Sequence, residues 1–79
     1  MDARALERLK WKSRRGLLEL DIVFDRFWKG AGSTMNEGQV AALERLLLLP
    51  DNDLLDLVMR RTETTDAAIR GMVEVLRAA

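Results

Sequence analysis

Residues 36–58 read NEGQVAALERLLLLPDNDLLDLV, and the fold class turns on them. Asn36 followed three residues later by Gln39 is a capping-box spacing, in which each side chain can serve the other's backbone amide. Met35 and Val40 bracket that start as a hydrophobic staple. Val40, Leu43 and Leu47 recur at helical spacing with Leu46 beside them, so this segment is predicted to be a helix with one apolar face. Pro50 cannot continue a helix and is expected to stop it. Asp51 is expected to cap the next helix, with Asp53 and Asp56 near its positive end. Leu54, Leu57 and Val58 would face inward. Arg60 and Arg61 would sit near the C-terminus, where cations suit the macrodipole.

The same reading extends to both sides. A first helix is expected over residues 3–11, with Leu6 and Leu9 apolar. Ser13 is a candidate cap for a second helix over residues 15–29, where Leu17, Leu20, Phe24, Phe27 and Trp28 form a stripe. Gly30, Ala31 and Gly32 are expected to end it through a left-handed residue. After the loop at residues 62–65, Ile69, Met72, Val73 and Leu76 follow the i, i+3, i+4, i+7 pattern of a last helix. Gly71 inside it should cost about 1 kcal/mol relative to Ala. Two-residue alternation is absent, so no strand is expected. The sequence predicts an all-α, compact five-helix bundle forming a single domain over residues 1–79.

Composition bounds the chemistry. The chain has 79 residues, 48% hydrophobic and 33% charged, which is neither disordered nor membrane-spanning. It contains no His, Cys or Tyr. A His/Cys metal site and nucleophile–histidine mechanisms are therefore excluded. No EF-hand spacing is present. The expectation is a protein that is not an enzyme and has neither catalytic residues nor a metal site. The start of the chain lacks the apolar core of a signal peptide, and the Leu46–Leu49 run is too short to span a bilayer. A cytoplasmic protein without membrane insertion is expected. Residues 1–30 carry eight basic and five acidic side chains, and residues 31–79 carry five and eight, so a basic end faces an acidic one at zero net charge.

The densest polar cluster is Arg14-Arg15-Gly16-Leu17-Leu18-Glu19-Leu20-Asp21. On the expected second helix, Arg15 and Glu19 are four apart and share one face. Gly16 between them lets a partner backbone approach closely. Arg15 could hold a carboxylate or phosphate through paired hydrogen bonds. The simpler reading is an ordinary surface ion pair of about 0.2–0.5 kcal/mol, in the less favourable charge order.

The segment resembles the R-G-x-x-E signature of the SdhE family, the succinate dehydrogenase flavinylation factors. Here it reads Arg15-Gly16-Leu17-Leu18-Glu19, with Trp11 before it and Phe27 after it. Residues 45–54, with their Leu run and Asp51-Asn52-Asp53-Leu54, are similar to a second family segment. Pro50 and Asn52 depart from the family's pattern at helix ends, and the tail of some relatives is missing. The resemblance implies a five-helix fold. It also implies a partner, the flavoprotein subunit of succinate dehydrogenase and perhaps of fumarate reductase, in which FAD is bonded through its 8α-methyl carbon to a histidine. It makes Arg15, Gly16 and Glu19 the core of a partner-binding surface, to which Arg14, Asp21 and Trp11 are added. No stably bound cofactor is expected, since no Gly-rich phosphate loop is present.

Two other readings compete. Lys10, Lys12, Arg14 and Arg15 could bind phosphate in a small nucleic-acid-binding module, against which the pI near 6.2 argues. An antitoxin-like adaptor without a flavoprotein client is the other. Trp11 either anchors a partner or covers the seam between the first two helices, whereas Trp28 extends the apolar stripe. Met35, Met59 and Met72 read as packing residues. Asp51, Asp53 and Asp56 read as helix-start residues rather than metal ligands.

Overall fold

Helix α1 spans Ala3–Ser13, α2 Leu18–Lys29, α3 Glu37–Leu46, α4 Asp51–Val58 and α5 Ala67–Ala78, with a 3₁₀ turn at Ala31–Thr34 after α2. A computed structural model of the chain describes residues 3–79. No strand occurs among the described residues. Helix α5 is the hub, packing on α2, α3 and α4, while α1 rests on α2. The radius of gyration is 11.4 Å, close to the ~12 Å expected of one compact unit of this length.

The core follows the predicted stripes. Leu20, Phe24 and Phe27 of α2, Leu43 and Leu46 of α3, Leu54, Leu57 and Val58 of α4, and Ile69, Met72, Val73 and Leu76 of α5 are all buried. Leu9 enters from α1, and Leu17, Trp28, Met35 and Val40 pack at the margin. Full burial of one such side chain stabilises the fold by about 1.5–3 kcal/mol. Gly71 faces outward on α5, with open space where a Cβ would stand.

The helix ends differ from expectation in ways that matter. The capping box at Asn36 is complete: Asn36 Oδ1 accepts from the Gln39 amide at 2.8 Å, and Gln39 Oε1 accepts from the Asn36 amide at 3.0 Å. Ser13 is not a cap for α2. It closes α1, donating to the Lys10 carbonyl at 2.7 Å and accepting from Trp28 Nε1 at 3.0 Å. Helix α2 begins at Leu18, three residues later than expected, because Arg14–Leu17 form a turn with Gly16 at φ +74°. Helix α3 ends at Leu46, short of Pro50, and tightens into turns in which the Leu48 amide donates to the Arg45 carbonyl and the Leu49 amide to the Leu46 carbonyl. Pro50, and not Asp51, is the N-cap of α4, and no side chain caps that end. Helix α4 closes with Arg60 at φ 64°, its amide on the Leu57 carbonyl and the Arg61 amide on the Asp56 carbonyl, a Schellman closure built on a residue other than glycine.

Neither Gly30 nor Gly32 makes the expected left-handed turn, and Gly32 serves packing instead. Gly30 has φ −118°. Gly32 lies against the helix it follows, and a Cβ there would stand 2.6 Å from Trp28 Cε3 and 3.0 Å from the Phe27 carbonyl oxygen. The contact includes backbone, so it cannot be relieved by rotating one side chain. We expect Gly32→Ala to destabilise the fold by about 1–3 kcal/mol in urea unfolding. A variant as stable as the parent would show that the 3₁₀ turn can shift freely.

Asp66 caps α5, accepting from the Ala68 and Ile69 amides at 3.0 and 3.1 Å and from Arg45 Nη2 at 2.7 Å. The Ile69 amide and then the Arg45 guanidinium hold its carboxyl below the ordinary aspartate range. A carboxyl with a lowered pKa in the folded state contributes stability above its unfolded pKa, and that contribution fades as pH falls through the folded value. Asn at this position still caps but carries no charge. The stability gap between the parent and Asp66→Asn should therefore shrink from about pH 6 to about pH 3. A gap constant across that window would remove the charge from the argument.

Candidate functional site: the Arg15-Gly16 corner

The turn between α1 and α2 is held from within by Arg15. Its Nη1 donates to the Leu49 carbonyl at 3.2 Å and pairs with Asp51 Oδ1 at 3.2 Å, and its Nη2 donates to the Leu47 carbonyl. The α3–α4 corner thus presents two carbonyls and a carboxylate to one planar fork, an arrangement that suits guanidinium better than ammonium. The Arg15 amide donates to Asp21 Oδ1 at 3.1 Å, which fastens the turn to the first part of α2. Arg15 Nε is buried without a hydrogen-bond partner.

This geometry corrects the helix-face pairing expected for Arg15 and Glu19. Arg15 precedes α2, and its guanidinium reaches across to residues 47–51. Glu19 stands exposed on the first turn of α2, and its carboxylate makes no hydrogen bond or ion pair within the described residues. The Arg14 side chain is likewise exposed and unpaired among the described residues, while its amide donates to the Trp11 carbonyl at 3.2 Å. Gly16 is exposed at the outermost point of the turn, with nothing within 4 Å of where a Cβ would stand.

A groove of about 640 Å³ runs between the end of α1 and α2, lined by Lys10, Trp11, Arg14, Gly16, Asp21 and Trp28 among others. Four predicted site residues, Trp11, Arg14, Gly16 and Asp21, therefore share one concavity, while Glu19 and the Arg15 side chain lie outside it. Trp11 is 73% exposed, so it does not seal the seam between α1 and α2. Trp28 does. Its ring meets Phe27 edge-on at 4.9 Å, its indole N–H is held by Ser13, and Lys10 Nζ lies 5.8 Å from its centroid. Asp51 and Asp56, read from the sequence as helix-start residues, are paired with Arg15 and Arg61.

Sequence reasoning missed Arg77. Its side chain is only 5% exposed and donates to the Leu57 carbonyl from Nε at 3.0 Å and from Nη2 at 2.6 Å, with Glu74 and Glu63 as charge partners. Its i, i+3 spacing from Glu74 was visible in the sequence, but the carbonyl it meets was not.

Fold and site together define a small five-helix domain whose exposed turn is braced by its own arginine. A model for Sdh5, the flavinator of succinate dehydrogenase, matches residues 7–79. Similar proteins include the FAD assembly factors SdhE of Ralstonia nicotianae, 43% identical over 75 residues (90% of this chain, 79% of the relative), and of Pseudomonas putida, 39% identical over 71 residues (90% and 84%). That of Pseudomonas aeruginosa is 36% identical over 75 residues (95% and 89%). The chain belongs to this family of succinate dehydrogenase flavinators. Its reading as a FAD assembly factor thereby stands over the nucleic-acid and adaptor alternatives.

Removing the Arg15 fork leaves two corner carbonyls and Asp51 without their donor. We expect Arg15→Ala to lose about 2–3 kcal/mol in chemical denaturation and Arg15→Lys to lose less, since an ammonium recovers only part of the fork. An Arg15→Ala protein with parental stability would mean that the corner holds without it.

Proposed function

We propose that this protein docks on the flavoprotein subunit of succinate dehydrogenase and promotes covalent attachment of FAD to it. The observation that carries the reading is the family match over residues 7–79, which includes the whole Arg15-Gly16 corner. The docking surface centres on Gly16. Arg14, Glu19, Trp11 and Asp21 surround it, and Arg15 braces it from beneath. An unpaired cation and an unpaired anion beside an exposed glycine suit close contact with a polar partner backbone.

The chemistry belongs to the client. With no His, Cys or Tyr, this chain has no residue to carry the flavin through such a bond. Its contribution is to hold the immature flavoprotein where histidine and flavin meet, and positioning of that kind can lower a barrier by several kcal/mol. The protein shapes its client rather than carrying FAD, a view supported by the mixed charge of the groove and the lack of a phosphate-binding loop. Tight stoichiometric binding of FAD to the isolated protein in equilibrium dialysis would reverse this part. The related flavoprotein of fumarate reductase is a second client in this reading, and the cytoplasm is the compartment. No helix among the described residues is long and apolar enough to cross a membrane.

The test is flavin fluorescence of the succinate dehydrogenase flavoprotein on denaturing gels, from cells lacking this protein and complemented with variants. Gly16→Arg and Gly16→Ala both place a side chain at positive φ, a cost of about 1–2 kcal/mol. Only the arginine adds bulk at the turn. Gly16→Arg should fail to restore the flavin signal while Gly16→Ala restores most of it. Full restoration by Gly16→Arg would refute docking through this turn.

A further inference from the structure

Among the described residues five large apolar side chains are exposed: Trp11, Leu18, Ile22, Leu48 and Met59. Single exposed leucines are ordinary on any protein surface, so only convergence carries meaning. Four of the five lie on segments that meet at the Arg15-Gly16 corner. Leu18 and Ile22 are one turn apart on α2 and share a face, directly after Gly16. Trp11 lines the groove that Gly16 also lines. Leu48 belongs to a different part of the chain, yet it sits between the two residues whose carbonyls Arg15 grips, Leu47 and Leu49. The guanidinium that fixes the Gly16 turn therefore also fixes the backbone on both sides of Leu48. Leu48 is 83% exposed and Leu18 71%, in a chain whose other leucines on α3 and α4 are mostly buried. Met59 lies at the far end of α4, away from this corner.

We propose that Leu48 and Leu18, with Ile22 beside them, form the apolar half of the docking surface, which rests on the function proposed above. The occupant is an apolar surface segment of the client flavoprotein, carrying a cation opposite Glu19 and an anion opposite Arg14. Two observations select that occupant. The Arg15 clamp ties the segment of Leu48 to the Gly16 turn, and Leu18 follows Gly16 by two residues. The charges next to them, Arg14 and Glu19, have no partner among the described residues, which leaves both available to a complementary rim. The surface is thus assembled from two separate segments, one on each side of Arg15, and neither presents it alone.

The test uses the full chain and the purified flavoprotein subunit, with affinity from calorimetry and stability from thermal unfolding. Leu48→Ser should weaken binding on the order of tenfold, and Leu18→Ser with it should weaken binding further. Unfolding should not change, because both side chains are exposed. Met59→Ser, the exposed control, should bind as the parent does. Unchanged affinity in Leu48→Ser, with loss of binding in Gly16→Arg, would overturn the apolar half and leave the docking turn standing. Absence of binding by the parent itself would overturn both. If Leu48→Ser instead dissociates a dimer of the parent in sedimentation and leaves flavoprotein affinity intact, the leucines cover a second copy and the proposal fails.

Discussion

The last carbonyls of a helix have no donor within it, and in a chain of 79 residues there is little else to cover them. Here two arginines do so. Arg15 gathers the carbonyls that follow α3 and the carboxylate that opens α4, and Arg77 gathers the Leu57 carbonyl near the end of α4. Helix α4 has only eight residues, too few to be stable alone. It is pinned at one end from the α1–α2 turn and at the other from α5. Both arginines are largely buried, and a buried charge is tolerated only when it is paired and hydrogen-bonded, as Arg15 is through Nη1 and Nη2 and Arg77 through Nε, Nη1 and Nη2. The clamps therefore fix positions as much as they add stability. The first ties the turn at Gly16 to the α3–α4 corner.

Much of this fold was legible in the sequence because its helices are amphipathic and punctuated. The stripe from Leu20 to Phe27, the Asn36–Gln39 box and the Ile69–Leu76 repeat are local signals, and each appears where the spacing placed it. Helix ends were less legible, for a specific reason. Ser13 and Asp51 are residues that favour caps, but tertiary partners took them first: Trp28 claims the Ser13 hydroxyl and Arg15 the Asp51 carboxylate. A cap is a competition for one acceptor, and a sequence does not show who else is competing. Gly32 is the same lesson in steric form. A left-handed turn was expected of the glycines after α2, whereas Gly32 is small because Phe27 and Trp28 leave no room.

The candidate residues were named from the sequence, and their geometry was not legible there. Gly16 emerges at positive φ on an exposed turn, and Trp11, Arg14 and Asp21 gather with it around one groove. The helix-face pairing of Arg15 with Glu19 rested on a helix that begins before Arg15, and the turn that Gly16 makes removes that premise. The Asp66 cap on the Ala68 and Ile69 amides is a local signal, whereas its Arg45 partner and the Leu57 carbonyl that Arg77 meets lie on other elements, beyond any spacing rule.

A five-residue signature that looks like one surface therefore divides by depth. Arg15 points inward and its fork is filled by the chain itself, Leu17 packs at the core margin, and Gly16, Leu18 and Glu19 remain outside. The inward residues can matter to a partner only by setting where the outward ones stand. A fork that holds carbonyls on both sides of Leu48 couples the position of that leucine to the position of Gly16. Loss of Arg15 should accordingly loosen the surface and lower stability together, whereas loss of Gly16 or Leu48 alters the surface with less change to the core. That separation of effects distinguishes a brace from a contact, and it follows from which way each side chain points.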